Sequence, residues 1–195
     1  MAPTRQQFIV DSLAESAETK IRISKTLVGP ISEAIEIVKT ALQNKKKILL
    51  CGNGGSAADA QHLATEFVIR LNPAIKRRGL PAIALTTDTS LLTAGANDIG
   101  FDNVFARSVE ALGTEGDVLI GISTSGKSES VNKAFRKARE QKLKTIAFLG
   151  KDGGSSKDLA DLAIIIPSQD TQRIQEGHIT VGHIIVQQVE QEMFG

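Results

Sequence analysis

The run Lys47-Ile-Leu-Leu-Cys51 leads directly into Gly52-Asn-Gly-Gly-Ser-Ala57, and this junction decides the fold. The apolar run is too short for a stable helix, so it predicts a strand buried on both faces. The segment 56–70 that follows has helical spacing. The same unit recurs along the chain. Pro81–Leu85, Asp117–Ile122, Thr145–Leu149 and Leu162–Ile166 are further short runs rich in Ile, Leu or Val and bounded by Gly, Pro or Ser. Between them, Phe101–Leu112 carries Phe101, Val104, Phe105 and Val109 at helical intervals, and Val131–Gln141 and Thr171–Met193 are also helical. Strands alternating with helices predict an α/β fold whose sheet is parallel and covered on both faces.

The first 45 residues carry no strand signal. Phe8, Leu13, Ala17, Ile21 and Leu27 suit one amphipathic helix. Ile31, Ile35, Val38 and Leu42 suit a second, after Gly29–Pro30. This hairpin either serves as a packing arm for a neighbouring subunit or covers its own sheet. With no linker, repeat or low-complexity tract, residues 1–195 are expected to form one domain: a helical extension over 1–45 and an α/β core over 46–195.

Composition excludes several functions. Lys plus Arg number 23 against 22 Asp plus Glu, a net charge of +1 that gives no electrostatic case for nucleic acid or an anionic membrane. One Cys allows no internal disulfide and no thiolate-rich metal site. There is no Trp or Tyr for stacking on bases or sugars. No apolar run is long enough to span a bilayer and the N-terminus has no secretory h-region, so a cytoplasmic protein is expected.

Two loops have the makings of an anion site. Gly52, Gly54 and Gly55 leave backbone N–H groups free to face a ligand at a helix N-terminus. The loop has neither the Lys-Ser/Thr ending of a Walker A motif nor the spacing of a dinucleotide fingerprint. The third strand ends in Gly121-Ile-Ser-Thr-Ser-Gly-Lys-Ser128, again entering a helix. A helix cap uses one hydroxyl; Ser123, Thr124, Ser125 and Ser128 exceed that need. Both loops should lie at the carboxyl edge of the sheet, where open α/β sheets bind ligands, and together they point to a phosphorylated small molecule.

With only three His in the chain, each position matters. His62 and Glu66 have the i, i+4 spacing of one helix face, fit for a metal or a proton path but equally for a surface pair. His178 and His183 fall in the last helix, where a core role is the simpler reading of an isolated His. Asn97-Asp98 reads as a turn. Asn72–Gly79, with Lys76, Arg77 and Arg78, reads as a solvated basic loop.

Taken together, these pieces closely resemble the phosphoheptose (sedoheptulose-7-phosphate) isomerase family of the sugar isomerase, or SIS, domain superfamily. The resemblance is carried by CGNGGSAADAQHLATEF at 51–67, PAIALTTDTSLLTAGAND at 81–98, EGDVLIGISTSGKS at 115–128 and RIQEGHITVGHI at 173–184, and it covers nearly the whole chain. It implies a single SIS domain, a five-stranded parallel sheet flanked by helices with an N-terminal helical hairpin. It implies a homotetramer with interfacial active sites and a ketose–aldose isomerisation that leads toward activated heptoses for bacterial surface glycans. By position, Ser123, Thr124, Ser125 and Ser128 correspond to a phosphate cradle. Asn53, Gly54, Gly55, Asn97, Asp98 and Gln175 correspond to substrate contacts, Glu66 to the general base and His183 to the general acid. His62, Glu66, Gln175 and His183 correspond to a zinc site described in some members, one ion per subunit.

The chemistry fits those residue types. Moving a proton between C1 and C2 through an enediol needs a carboxylate base and an acid that serves the oxygens. A zinc ion could polarise the carbonyl, although ligation would restrict Glu66 and His183 as base and acid. Gln175 and His183 are eight residues apart, or ~12 Å along a helix. One metal takes both only if Gln175 precedes the helix or the two come from different chains. A catalytically silent relative that binds a replication initiator is the alternative from another class; such proteins lack the Glu and the final His.

Overall fold

The computed structural model describes residues 3–195. Its strands are β1 (Ile48–Gly52), β2 (Ala82–Ala84), β3 (Val118–Ser123), β4 (Lys144–Gly150) and β5 (Leu162–Ile166). They form one parallel sheet in the order β2-β1-β3-β4-β5. All five expected strands are present. β2 is the shortest, because it lies at the sheet edge, starts behind Pro81 and leaves Ile83 partly in solvent. The chain leaves β1 for one edge and returns to β3 on β1's other side, so strand order reverses between β1 and β3.

The helices are α1 (Arg5–Thr26), α2 (Val28–Gln43), α3 (Gly55–Val68), α4 (Thr89–Asp98), α5 (Val104–Leu112), α6 (Glu129–Glu140) and α7 (Thr171–Phe194), with short 3-10 turns at Phe101–Asn103 and Ser155–Asp158. Side-chain alternation sorts the sheet into two cores. Ile48, Leu50, Val118, Ile120, Ile122, Ile146 and Phe148 pack with Val38, Leu63, Phe67, Val181 and Ile185 of α2, α3 and α7. Leu49, Cys51, Leu119, Ala147 and Leu149 pack with Phe105, Val109, Val131 and Phe135 of α5 and α6. Burial on both faces is why the strands read as unbroken apolar runs.

Two expectations about the helices need correction, and the two readings of the hairpin are divided between its halves. The first two helices part at Leu27, not at Gly29–Pro30; Pro30 sits in the first turn of α2, where its missing N–H costs nothing. The apolar stripe of α1 is not buried within the chain: Phe8 is 63% and Leu13 68% exposed, and α1 buries only Thr19 and Ile23. The hairpin therefore covers its own sheet through α2, while the first half of α1 stands away from it. Asn97-Asp98 is not a turn between elements but the last turn of α4, which buries no residue and is capped by the Asp88 carboxylate accepting from the Leu91 N–H. Among the described residues no helix is long and apolar enough to cross a membrane.

Candidate active site

β1 and β3 are neighbours, with Gly52 opposite Ile122, so the loops that follow them emerge side by side at the carboxyl edge. They are tied together. The Asn53 amide donates to Ser128 Oγ at 2.7 Å and Ser130 Oγ at 3.0 Å. Ser128 occupies the N-cap position of α6, yet its hydroxyl makes no capping bond. The first N–H groups of α6 thus lack a side-chain partner and, with the helix dipole, favour an anion. Ser123 Oγ accepts from the Gly126 N–H at 3.1 Å and Ser125 Oγ from the Lys127 N–H at 3.2 Å, shaping the loop around the half-buried Thr124.

A second layer supports that loop, and sequence reasoning missed it. Gly126 has φ +62, and a Cβ there would lie 1.9 Å from the Gly153 carbonyl oxygen. The Gly126 carbonyl accepts from the Ser156 N–H and Oγ, both at 2.9 Å. Asn132 bridges Ser155 and Ser156 at 2.9 and 2.6 Å. The available signal was Gly153-Gly154-Ser155-Ser156, a turn of the same composition following β4 at the same sheet edge.

Two turns along α3 from the glycine loop, three side chains converge. His62 Nε2 lies 2.8 Å from His183 Nε2 on α7 and 3.4 Å from Glu66 Oε1. The ligating atoms of the three lie within 4.8 Å of one another. Two imidazole nitrogens at this distance either share one proton or direct lone pairs at one cation. Two His and one carboxylate also make a donor set suited to zinc, with room for a further ligand. The cluster is open to solvent on one side, with 47% of the His62 side chain exposed and 17% of Glu66. Asp59, one turn earlier on α3, was also missed. It is half-buried with one oxygen unpartnered; burial raises its carboxyl above the ordinary range, opposed by nearby His62.

Gln175 is elsewhere. α7 starts at Thr171, so Gln175 is inside the helix and lies ~12 Å along it from His183. Its amide packs on the glycine loop instead: a Cβ at Gly55 would lie 2.0 Å from Gln175 Nε2. Gly55 is needed for that approach. Within one chain Gln175 thus belongs with Asn53 and Gly54, and not with the His–Glu cluster. Asn97 and Asp98 are exposed and bond each other at 2.7 Å, on a helix that packs mainly against α5 and the turn before it.

His178 lies in the interior. Its Nε2 is 2.9 Å from the Leu149 carbonyl, which makes it the protonated nitrogen, and Nδ1 has no partner. Burial lowers its pKa to about 4, although the bond to Leu149 opposes this. The unfolded chain binds this proton at ordinary histidine values, so stability from neutral His178 is complete above about pH 6.5 and is lost as pH falls toward 4. His178→Gln is expected to flatten that part of a stability–pH curve, by up to about 3 kcal/mol at pH 4, as read by urea melts from pH 7 to 4. Burial likewise pushes the Cys51 thiol up to about 12, as expected for an inert core residue.

Hydroxyl- and glycine-rich loops at the reversal of a parallel sheet, beside a His–Glu–His cluster, define the class: an α/β domain with an anion-ready ligand site at the carboxyl edge of its sheet. Residues 13–150 match the SIS domain family. The chain is 52% identical over 192 residues to the phosphoheptose isomerase of Clostridium acetobutylicum, covering 97% of each. It superposes on the phosphoheptose isomerase of Neisseria gonorrhoeae with TM-score 0.90 and 44% identity, over 96% of this chain and 100% of that one. For the enzyme from Francisella tularensis the values are 0.93 and 34%, over 97% and 100%. The chain belongs to the phosphoheptose isomerase family of SIS-domain enzymes.

Proposed function

We propose that this aldose–ketose isomerase converts D-sedoheptulose 7-phosphate to D-glycero-D-manno-heptose 7-phosphate, the opening step toward activated heptoses. The observation that carries the reading is the meeting of Glu66 and His183 across the α3–α7 contact, beside an anion-ready loop. Ser123, Thr124, Ser125 and Ser128, with the α6 N-terminus, hold the phosphate. Asn53, Gly54, Gly55 and Gln175 take the sugar hydroxyls. Glu66 removes a proton from C1 while His183 delivers one to the C2 oxygen, giving the enediol. His183 then takes the proton from the C1 oxygen, and Glu66 returns its proton to C2.

His62, Glu66 and His183 would hold a zinc ion, which when bound would polarise the substrate carbonyl. Gln175, ~12 Å along α7 from His183, would reach such an ion from another subunit. A homotetramer with shared sites fits the exposed apolar stripe of α1, the uncovered α4 with Asn97 and Asp98, and the open side of His62. The chain then acts as one SIS domain per subunit. The cytoplasm suits a substrate whose phosphate bars it from crossing membranes. Nothing in the fold favours the initiator-binding reading, since Glu66 and His183 are both in place.

The test is turnover of sedoheptulose 7-phosphate by the protein as purified and after chelation, with zinc then added back. Formation of the aldose phosphate, lost on chelation and restored by zinc, is expected. No turnover in any state would overturn the function. Full activity in verified metal-free protein would remove the metal and leave the proton transfers standing.

A further inference from the structure

The basic loop at 72–79 is not the wholly solvated loop expected from its charge, because the Arg77 side chain is buried against α7. The side chains of Arg77 and of Glu190 on α7 are both 0% exposed and form an ion pair at 2.6 Å. Burying two charges is costly, so such a pair is weak evidence for stability as such. Its contacts indicate what else it does. Arg77 donates from Nη2 to the Glu66 carbonyl at 2.7 Å and from Nη1 to the Phe67 carbonyl at 2.8 Å. These are terminal carbonyls of α3, where a helix leaves acceptors unmet and favours a cation. Glu190 accepts from Arg77 Nε at 2.8 Å and from the Leu71 and Asn72 N–H groups at 2.9 and 3.0 Å. It sits seven residues beyond His183 on the same helix.

One buried pair thus joins the backbone of Glu66 itself to the helix that carries His183. We propose that Arg77 and Glu190 are positioning residues that hold the last turn of α3, and so set the Glu66 carboxylate against His183 for proton transfer. The inference builds on Glu66 as the base. Neither residue touches substrate. Arg77 is suited to the task because its rigid fork reaches the carboxylate and both carbonyls at once, which a Lys ammonium cannot do.

Arg77→Lys and Glu190→Gln test this, assayed with sedoheptulose 7-phosphate well below each variant's melting temperature. Displacing a reacting group by about an ångström costs up to about 10²-fold in rate. Each folded variant should therefore show kcat reduced about 10- to 100-fold, with KM within about twofold because the phosphate loop is untouched. Glu66→Gln serves as the control. Wild-type kcat in the folded Arg77 and Glu190 variants, with Glu66→Gln inactive, would overturn the positioning role and leave the base assigned. Failure of both to fold would assign the pair to folding alone and overturn it too. Full turnover by Glu66→Gln would remove the base itself, a separate failure.

Discussion

Glu66→Gln is expected to give a folded protein that turns over sedoheptulose 7-phosphate about 10³-fold more slowly or worse, since a positioned base contributes roughly 10²–10⁴-fold. The amide matches the carboxylate in shape but cannot take a proton from carbon. The fold should tolerate it, because the amide fills the same space and the carboxylate meets the half-exposed His62 at 3.4 Å rather than a fully buried partner. Steady-state kinetics alongside a thermal melt checks both halves. A drop smaller than tenfold would mean that another group removes the C1 proton, and half-buried Asp59 would be the next residue to vary.

Gly126→Ala should be the most disruptive single change to the anion loop. Its φ of +62 disfavours any Cβ, and that Cβ would meet the Gly153 carbonyl oxygen at 1.9 Å. The clashing atom belongs to the backbone, so no side-chain rotation relieves it. Left-handed strain of ~1–2 kcal/mol and overpacking of ~1–3 kcal/mol together predict a loss of about 3 kcal/mol. In a chain of this size that lowers the melting temperature by roughly 6–12 °C. The loop would move away from Ser155 and Ser156, so KM for the phosphorylated substrate should rise more than about tenfold, with kcat less affected. An unchanged melting temperature and KM would show that the Gly153–Ser156 segment does not support the phosphate loop.

The sheet was readable from the chain because both its faces are covered. Strands such as Ile48–Gly52 and Leu162–Ile166 then carry no polar side chain, and no helix of that length survives alone. The convergence of His62, Glu66 and His183 was only half readable. The i, i+4 pair is a local matter, whereas contact with His183 depends on how α3 and α7 lie against one another. What escaped reading is what local pattern does not encode. The stripe Phe8, Leu13, Ile21 looks the same whether it packs inside the chain or on another one. Arg77 looks like its solvated neighbours Lys76 and Arg78 until Glu190, distant in sequence, is brought beside it. Gln175 packs on Gly55 within the chain because α7 begins one turn before it, and that contact across the fold is invisible to local pattern.

The proposed isomerisation moves a proton between C1 and C2 through an enediol. Incubation with sedoheptulose 7-phosphate in D2O, followed by NMR of the products, tests it most directly. An aldose heptose 7-phosphate is expected, carrying solvent deuterium at C2 in the fraction of turnovers in which the Glu66 proton exchanges through the open side of the cluster before its return, with neither product nor label formed at the wild-type rate by Glu66→Gln. Absence of the aldose, or equal formation and labelling by Glu66→Gln, would contradict it.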